Sequence, residues 1–184
     1  MKKVLSLILV LILIFALVGC SGSGDVSSNE TPSAPTSSDI ISSDITATKT
    51  DSGKITLGTA ELKVGMVITD DIINKVGTPD DIMSAPSCFF DGEDTIYVYE
   101  DFSLYTYRDG DKDYLYIIEL STDKNATEFG GKVGMDIADI EEMYGFNSTG
   151  TATSKVYKLG ENSKLRFSFD DSGIVNLIEY ELIG

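Results

Sequence analysis

The chain of 184 residues contains no histidine and no tryptophan, only two cysteines and four prolines, and 14 basic residues against 30 acidic ones. Each shortage excludes something. Without histidine, Ser-His-Asp and Cys-His catalysis and most zinc sites fall away. Two thiols, Cys20 and Cys88, cannot form the disulfide framework of a small exported domain, so an apolar core must hold the fold. A net charge of −16 leaves no basic surface to displace counterions from nucleic acid or to lie on anionic lipid. The plain meaning of such acidity is solubility and self-repulsion; a polycation or calcium partner is the alternative. There is no apolar run of the roughly 20 residues that a spanning helix needs.

What apolar run there is stands at the start. Lys2 and Lys3 precede a stretch from Val4 to Val18, and small residues follow. That is the layout of a secretory signal peptide over residues 1–19. Its end, "LVGC" at Leu17–Cys20, resembles the bacterial lipobox. The resemblance implies a diacylglyceryl group on the Cys20 sulfur, with cysteine becoming the new N-terminus. One acyl chain holds only reversibly and two hold firmly, at about 0.8 kcal/mol per buried methylene. Loss of residues 1–19 removes Lys2 and Lys3 and no acid, which moves the net charge from −16 to −18. The remaining thiol, Cys88, is either a buried inert group or the site of an intermolecular bond.

From residue 21 to residue 54, fifteen of 34 positions are Ser or Thr. Such a segment buries too little apolar surface to fold and reads as a flexible linker from Cys20 onward. Its root-mean-square reach is about 32 Å, enough to lift a domain off a membrane.

The composition changes at Ile55 to alternating apolar and polar residues with regular turns, long enough for one core over 55–184. Here the tetrapeptide "KVGM" occurs twice, at Lys63–Met66 and Lys132–Met135. The stretch Glu61–Asp81 aligns with Gly130–Ser148, one residue being gapped. Each copy predicts a short helix. Thr69 caps the first, Asp70 and Asp71 suit its positive end, and Ile72, Ile73 and Val76 form its apolar face. Asp136 caps the second, with Ile137, Ile140 and Tyr144 at helical spacing and Gly145 at its end. The shared Gly-Met predicts a tight approach to the helix with the methionine packed beneath it. Alternating runs joined by Asp/Gly turns then predict hairpins. In the first copy these are "DTIYVYED" and "FSLYTYRDGDKDYLYIIELST", with a possible short strand at Cys88–Phe90. In the second they are "TSKVYKL" and "KLRFSFDDSGIVNLIEYELI". The expected fold is α+β: a tandem repeat of helix plus three or four antiparallel strands, over about 61–123 and 130–184. The strands would form a shared sheet with the helices on one face.

The segment "VGMVITDDIINKVGTP" resembles the helix motif of β-lactamase-inhibitor-protein-like domains and of the SmpA/OmlA small lipoprotein domains. The tandem copies are similar to the inhibitor proteins in particular, over Glu61–Leu182. That resemblance implies a curved sheet that grips another protein. The chain departs from the inhibitor proteins in having no disulfide in either unit and no tryptophan on the sheet.

No carboxylate pair stands out as differently tuned, so no catalytic residues, cofactor or metal are expected, and the chain is not expected to be an enzyme. The run "RDGDKDY" places Asp109, Asp111 and Asp113 at calcium-loop spacing, but the positions that need Gly and Glu hold Tyr114 and Leu120. A solvated hairpin turn explains it better. Six tyrosines offer more. Tyr97 and Tyr99, Tyr105 and Tyr107, and Tyr114 and Tyr116 each share one side of a strand. They serve either as half-buried strand residues or as a protein-binding face. Phe167 and Phe169 take the places of Tyr105 and Tyr107 in the second copy and look core-facing.

The expected protein is therefore a non-catalytic lipoprotein on the outer side of the cell membrane, held there by lipid alone. It would bind an extracytoplasmic protein, in an inhibitor-like way, through the tyrosine strands and the loop Asp80–Asp94. The alternative is a scaffolding or assembly subunit of the envelope, of the SmpA/OmlA type. Replacing Cys20 by Ala should move the protein from the membrane pellet to the detergent-free soluble fraction on cell fractionation; retention in the pellet would refute the lipid anchor.

Overall fold

The computed structural model describes residues 51–87 and 90–183. The signal segment, Cys20, the linker up to residue 50 and Cys88 lie outside the described residues. Within them the fold is α+β and mostly antiparallel sheet. A hairpin of β1 (Lys54–Leu57) and β2 (Ala60–Lys63) comes first, followed by the short β3 (Val67–Ile68) and helix α1 (Asp70–Val76). Four strands follow: β4 (Asp81–Pro86), β5 (Glu93–Val98), β6 (Phe102–Asp109) and β7 (Lys112–Leu120). Then come α2 (Ile137–Tyr144), β8 (Thr149–Thr151), β9 (Ser154–Lys158), β10 (Ser163–Phe169) and β11 (Val175–Leu182). The main sheet runs β4-β5-β6-β7-β11-β10-β9-β8, with β3 against the start of β7. The order reads outward in the same way from the β7–β11 seam to either edge.

Both helices begin where the side-chain chemistry places them. Thr69 accepts a hydrogen bond from the Ile72 amide, and Asp136 accepts one from the Ala138 amide. Asp70 and Asp71 sit in the first turn of α1 against its partial positive charge. Gly77 and Gly145 end the helices by donating to Ile73 O and Glu141 O.

The two KVGM segments make matching hydrogen bonds. Gly65 N–H donates to Leu115 O at 2.7 Å, and Gly134 N–H to Val175 O at 2.8 Å. The amides of Leu115 and Val175 donate back to Met66 O and Met135 O, both at 2.9 Å. The methionine sulfurs accept from the Lys63 and Lys132 amides at 3.3 and 3.2 Å, while the side chains pack on the core. Both glycines have φ 89°, a conformation that costs an L side chain about 1–2 kcal/mol. This explains why the tetrapeptide needs its glycine: the chain must turn there to dock on the sheet.

One face of the sheet is dry. Leu104, Leu115, Ile118, Leu120, Leu165, Phe167, Val175, Ile178 and Tyr180 are fully or almost fully buried and form one cluster with Ile140 of α2 and Val76 of α1. Leu57 and Leu62 of the β1–β2 hairpin join the same cluster. That hairpin is absent from the sequence expectation, and its strands alternate strictly between buried and exposed.

Residues ahead of the expected boundary at Ile55 belong to the packed structure as well. Asp51 is only 4% exposed; it accepts from the Gly53 amide and, at 2.8 Å, from the Tyr144 hydroxyl of α2. Burial raises its pKa despite these bonds. The first strand after α1 is Asp81–Pro86, so six of the fifteen residues of the expected loop Asp80–Asp94 form an edge strand; Cys88 and Phe89 of the possible short strand lie outside the described residues.

No atom lies within 4 Å of a Cβ built on Gly134. Gly134→Ala should therefore lose about 1–2 kcal/mol through backbone strain alone, read by urea unfolding. An unchanged midpoint would show that the turn does not hold this conformation.

Candidate functional site

The opposite face of the sheet is half-exposed, and the register decides which side chains reach it. In β6 and β7, Tyr105 pairs with Ile117, and Thr106 with Leu115. Tyr116 is the extra residue of a β-bulge, which throws Tyr116 and Ile117 to the same side. Tyr107 pairs with Tyr114 on that side too. The four tyrosines of these strands thus meet on the open face. Tyr107 and Tyr114 stack with centroids 5.5 Å apart, and Tyr116 meets Tyr105 and Tyr107 edge-on at 6.3 and 6.0 Å.

Tyr97 and Tyr99 do not join them, which corrects the grouping expected from sequence. Tyr97 pairs with the buried Leu104 and so lies on the core side. Tyr99 stacks on Phe102, and its hydroxyl donates to Gly77 O at the exit of α1. The expected equivalence of Phe167 and Phe169 with Tyr105 and Tyr107 is also corrected. Phe167 faces Ile178, as Leu104 faces Ile118. The phenylalanines therefore match Leu104 and Thr106, one residue off. A second bulge lies between Ser168 and Phe169, with Asn176 as its extra residue.

Sequence reasoning missed Phe90 and the role of Asp94. Phe90, in the β4–β5 loop, stacks on Tyr107 with centroids 3.7 Å apart and meets Tyr116 edge-on at 5.5 Å. Asp94 pairs with Tyr107 in the register, and its Oδ2 accepts from the Tyr116 hydroxyl at 2.9 Å. Asp94 is 7% exposed, and its Oδ1 is buried without a hydrogen-bond partner. No local pattern could have revealed Phe90, but the bulge leaves a trace. Apolar residues at Leu115, Ile118 and Leu120 break the period of two.

Beside the rings lies a charged half. Glu119 and Glu179 face each other across the β7–β11 seam. Tyr105 donates to Glu119 at 3.2 Å; burial and Glu119 push the tyrosine pKa to about 12, so it remains a donor at neutral pH. Arg166 reaches Glu181 at 2.6 Å and Glu179 at 3.5 Å, and Lys164 reaches Glu181 at 2.8 Å. Burial, then Glu181, raises Glu179. Burial works to raise Glu181 as well, but bonds from Arg166 and Lys164 outweigh it and the pKa falls. Acid–base pairs are tuned apart in this way, yet here Arg166 engages both groups on a sheet open to water. A groove of about 300 Å³ runs between the halves, lined by Phe90, Tyr116, Ile117, Lys164, Glu181, Leu182 and Ile183.

Among the described residues no group of three or more Asp, Glu, Cys or His is placed to hold a metal. In the Asp109–Asp113 turn, Asp113 is held by two 2.7 Å bonds from Arg108. No described helix is long and apolar enough to cross a membrane.

No family model matches the chain, and no curated protein matches it. Among solved structures it superposes on an extracellular protein containing a SCP domain from Bacillus anthracis str. Ames, with a TM-score of 0.46 and 12% identity. The match covers 64% of this chain and 43% of that one, less than half its length. A likeness of this size assigns neither family nor activity.

Glu179 binds a proton more readily folded than unfolded, so its contribution is lost as pH rises from about the ordinary 4.5 through the raised value. Glu179→Gln should raise the melting temperature at pH 7, with the gain shrinking as pH falls towards 4.5. A lower melting temperature at pH 7 would mean that the Arg166 contact outweighs burial.

Proposed function

We propose that this is a lipid-anchored extracytoplasmic lipoprotein whose domain binds another protein, without catalysis, through the open face of its sheet. The observation that carries the reading is the ring cluster of Phe90, Tyr105, Tyr107, Tyr114 and Tyr116 on the half-exposed face. Core packing needs no aromatic on that side, whereas protein-binding surfaces are enriched in tyrosine. The acidic surface would steer a basic partner and speed its encounter. The Cys20 anchor and the Ser/Thr-rich linker would hold the domain outside the membrane, within reach of proteins of the envelope.

The same proposal includes an internal duplication of a helix followed by four strands, α1 with β4–β7 and α2 with β8–β11. Three features support it. The Gly-Met turns make the same bonds, each docks one residue before a bulge, and the strand order mirrors itself about the seam. In this reading one copy kept aromatics on the open face, while the other has Ser168 at the position of Tyr105 and Asn176 at that of Tyr116.

A second reading, an assembly or scaffolding subunit, is favoured by the edge strand β4. All its residues are exposed, including Ile82 at 56% and Met83 at 45%. An open edge offers backbone groups to an added strand.

Photo-crosslinking on intact cells separates the two. A crosslinker placed at Ile117 should capture a discrete partner, and replacing Tyr107 and Tyr114 together by Ser should reduce capture at least tenfold. Capture from Ile82 alone, indifferent to the tyrosines, would replace the open-face reading with the edge-strand one.

A further inference from the structure

Resting on the binding-face reading above, we infer that the ring cluster and Asp94 form a receptor for a guanidinium group, presented by an arginine of a basic protein partner. A carboxylate oxygen buried without a donor is costly to maintain, and Asp94 Oδ1 is such an oxygen at 7% residue exposure. It is not left over from a structural ion pair: its other oxygen already has a dedicated donor in the Tyr116 hydroxyl, at 2.9 Å. What remains is one buried acceptor on a carboxylate that is tied to Tyr116 and paired with Tyr107 in the sheet.

The rings supply the rest of the recognition. Tyr107, the register partner of Asp94, presents a flat face on which the Phe90 ring lies nearly parallel, at 3.7 Å and 9°. A guanidinium is planar and weakly hydrated, and it stacks on tyrosine in the same way, adding cation–π attraction. Tyr116 stands nearly perpendicular to both rings, at 69° to Phe90 and 68° to Tyr107, and forms a side wall. A guanidinium that takes the place of the Phe90 ring on Tyr107 brings N–H donors towards Asp94 Oδ1. The adjoining groove of about 300 Å³, whose walls include Tyr116, Ile117 and Leu182, takes the methylenes of the same side chain. A lysine would make the ion pair but could not stack, so the site prefers arginine.

The test uses the full chain in neutral detergent with carbon-13-labelled tyrosine rings, titrated with Nα-acetylarginine amide and with the uncharged citrulline counterpart. The arginine compound should shift the Tyr107 and Tyr116 signals saturably, and citrulline should leave them in place. Asp94→Asn should weaken the arginine response at least tenfold, with the Tyr144 and Tyr157 core signals reporting that the variant is folded. If those core signals move, Phe90→Ala carries the test: freeing the Tyr107 face should tighten binding severalfold. Equal shifts with citrulline, an unaltered response in a folded Asp94→Asn, or weaker binding to Phe90→Ala would each overturn the guanidinium site. Crosslinked capture from Ile117 that persists in Asp94→Asn would overturn the site while leaving the binding face intact. Loss of capture from Ile117 in the wild type would remove the face itself.

Discussion

Four residue pairs join β7 to β11: Ile117 with Glu181, Ile118 with Tyr180, Glu119 with Glu179, and Leu120 with Ile178. The rest of the architecture depends on this seam. It puts Ile118, Leu120, Ile178 and Tyr180, all fully buried, on the side where both helices and the β1–β2 hairpin pack. It also forces Glu119 and Glu179 into direct opposition on the other side, an unfavourable arrangement for like charges. The register is held because a slip of one residue would turn every core side chain outward. Hydrophobic burial on one face thus dictates the electrostatics of the other, and Arg166, Lys164 and the Tyr105 hydroxyl gather there to compensate.

The tyrosine face follows from a departure from regular pairing. An unbroken β7 would alternate its side chains strictly and send either Tyr116 or Ile118 to the wrong side. The bulge at Tyr116 absorbs the mismatch, keeping Ile118 in the core while bringing Tyr116 beside Tyr105 and Tyr107. The matching bulge at Asn176 does the same for Val175 and Ile178. Each Gly-Met turn docks on the residue just before its bulge, so the repeated tetrapeptide and the irregular strand belong to one device.

Much of this was legible in the residues. The capping side chains Thr69 and Asp136, the terminating glycines and the Asp/Gly hairpin turns act locally, and local chemistry is what a sequence displays. The α+β class followed from them. Facing was harder. Tyr97 and Tyr99 share a side with each other, but only pairing with Leu104 and contact with Gly77 decide that it is the core side. Phe90 reaches Tyr107 from a loop, and Asp94 is bonded by Tyr116 from a strand that is not its neighbour, so neither could be read from spacing. The β1–β2 hairpin hid because its four-residue strands are short and adjoin a Ser/Thr-rich segment whose composition dominates the reading.

On the proposed reading a partner covers the tyrosine face in the cell, while the fold covers the core tyrosines. Hydroxyl-radical footprinting, read by mass spectrometry on the purified protein and on intact cells, measures this directly. Tyr107 and Tyr114 should be modified in the purified protein and protected on cells, with Tyr157 and Tyr180 protected in both. Equal modification of Tyr107 and Tyr114 in the two settings would contradict that reading.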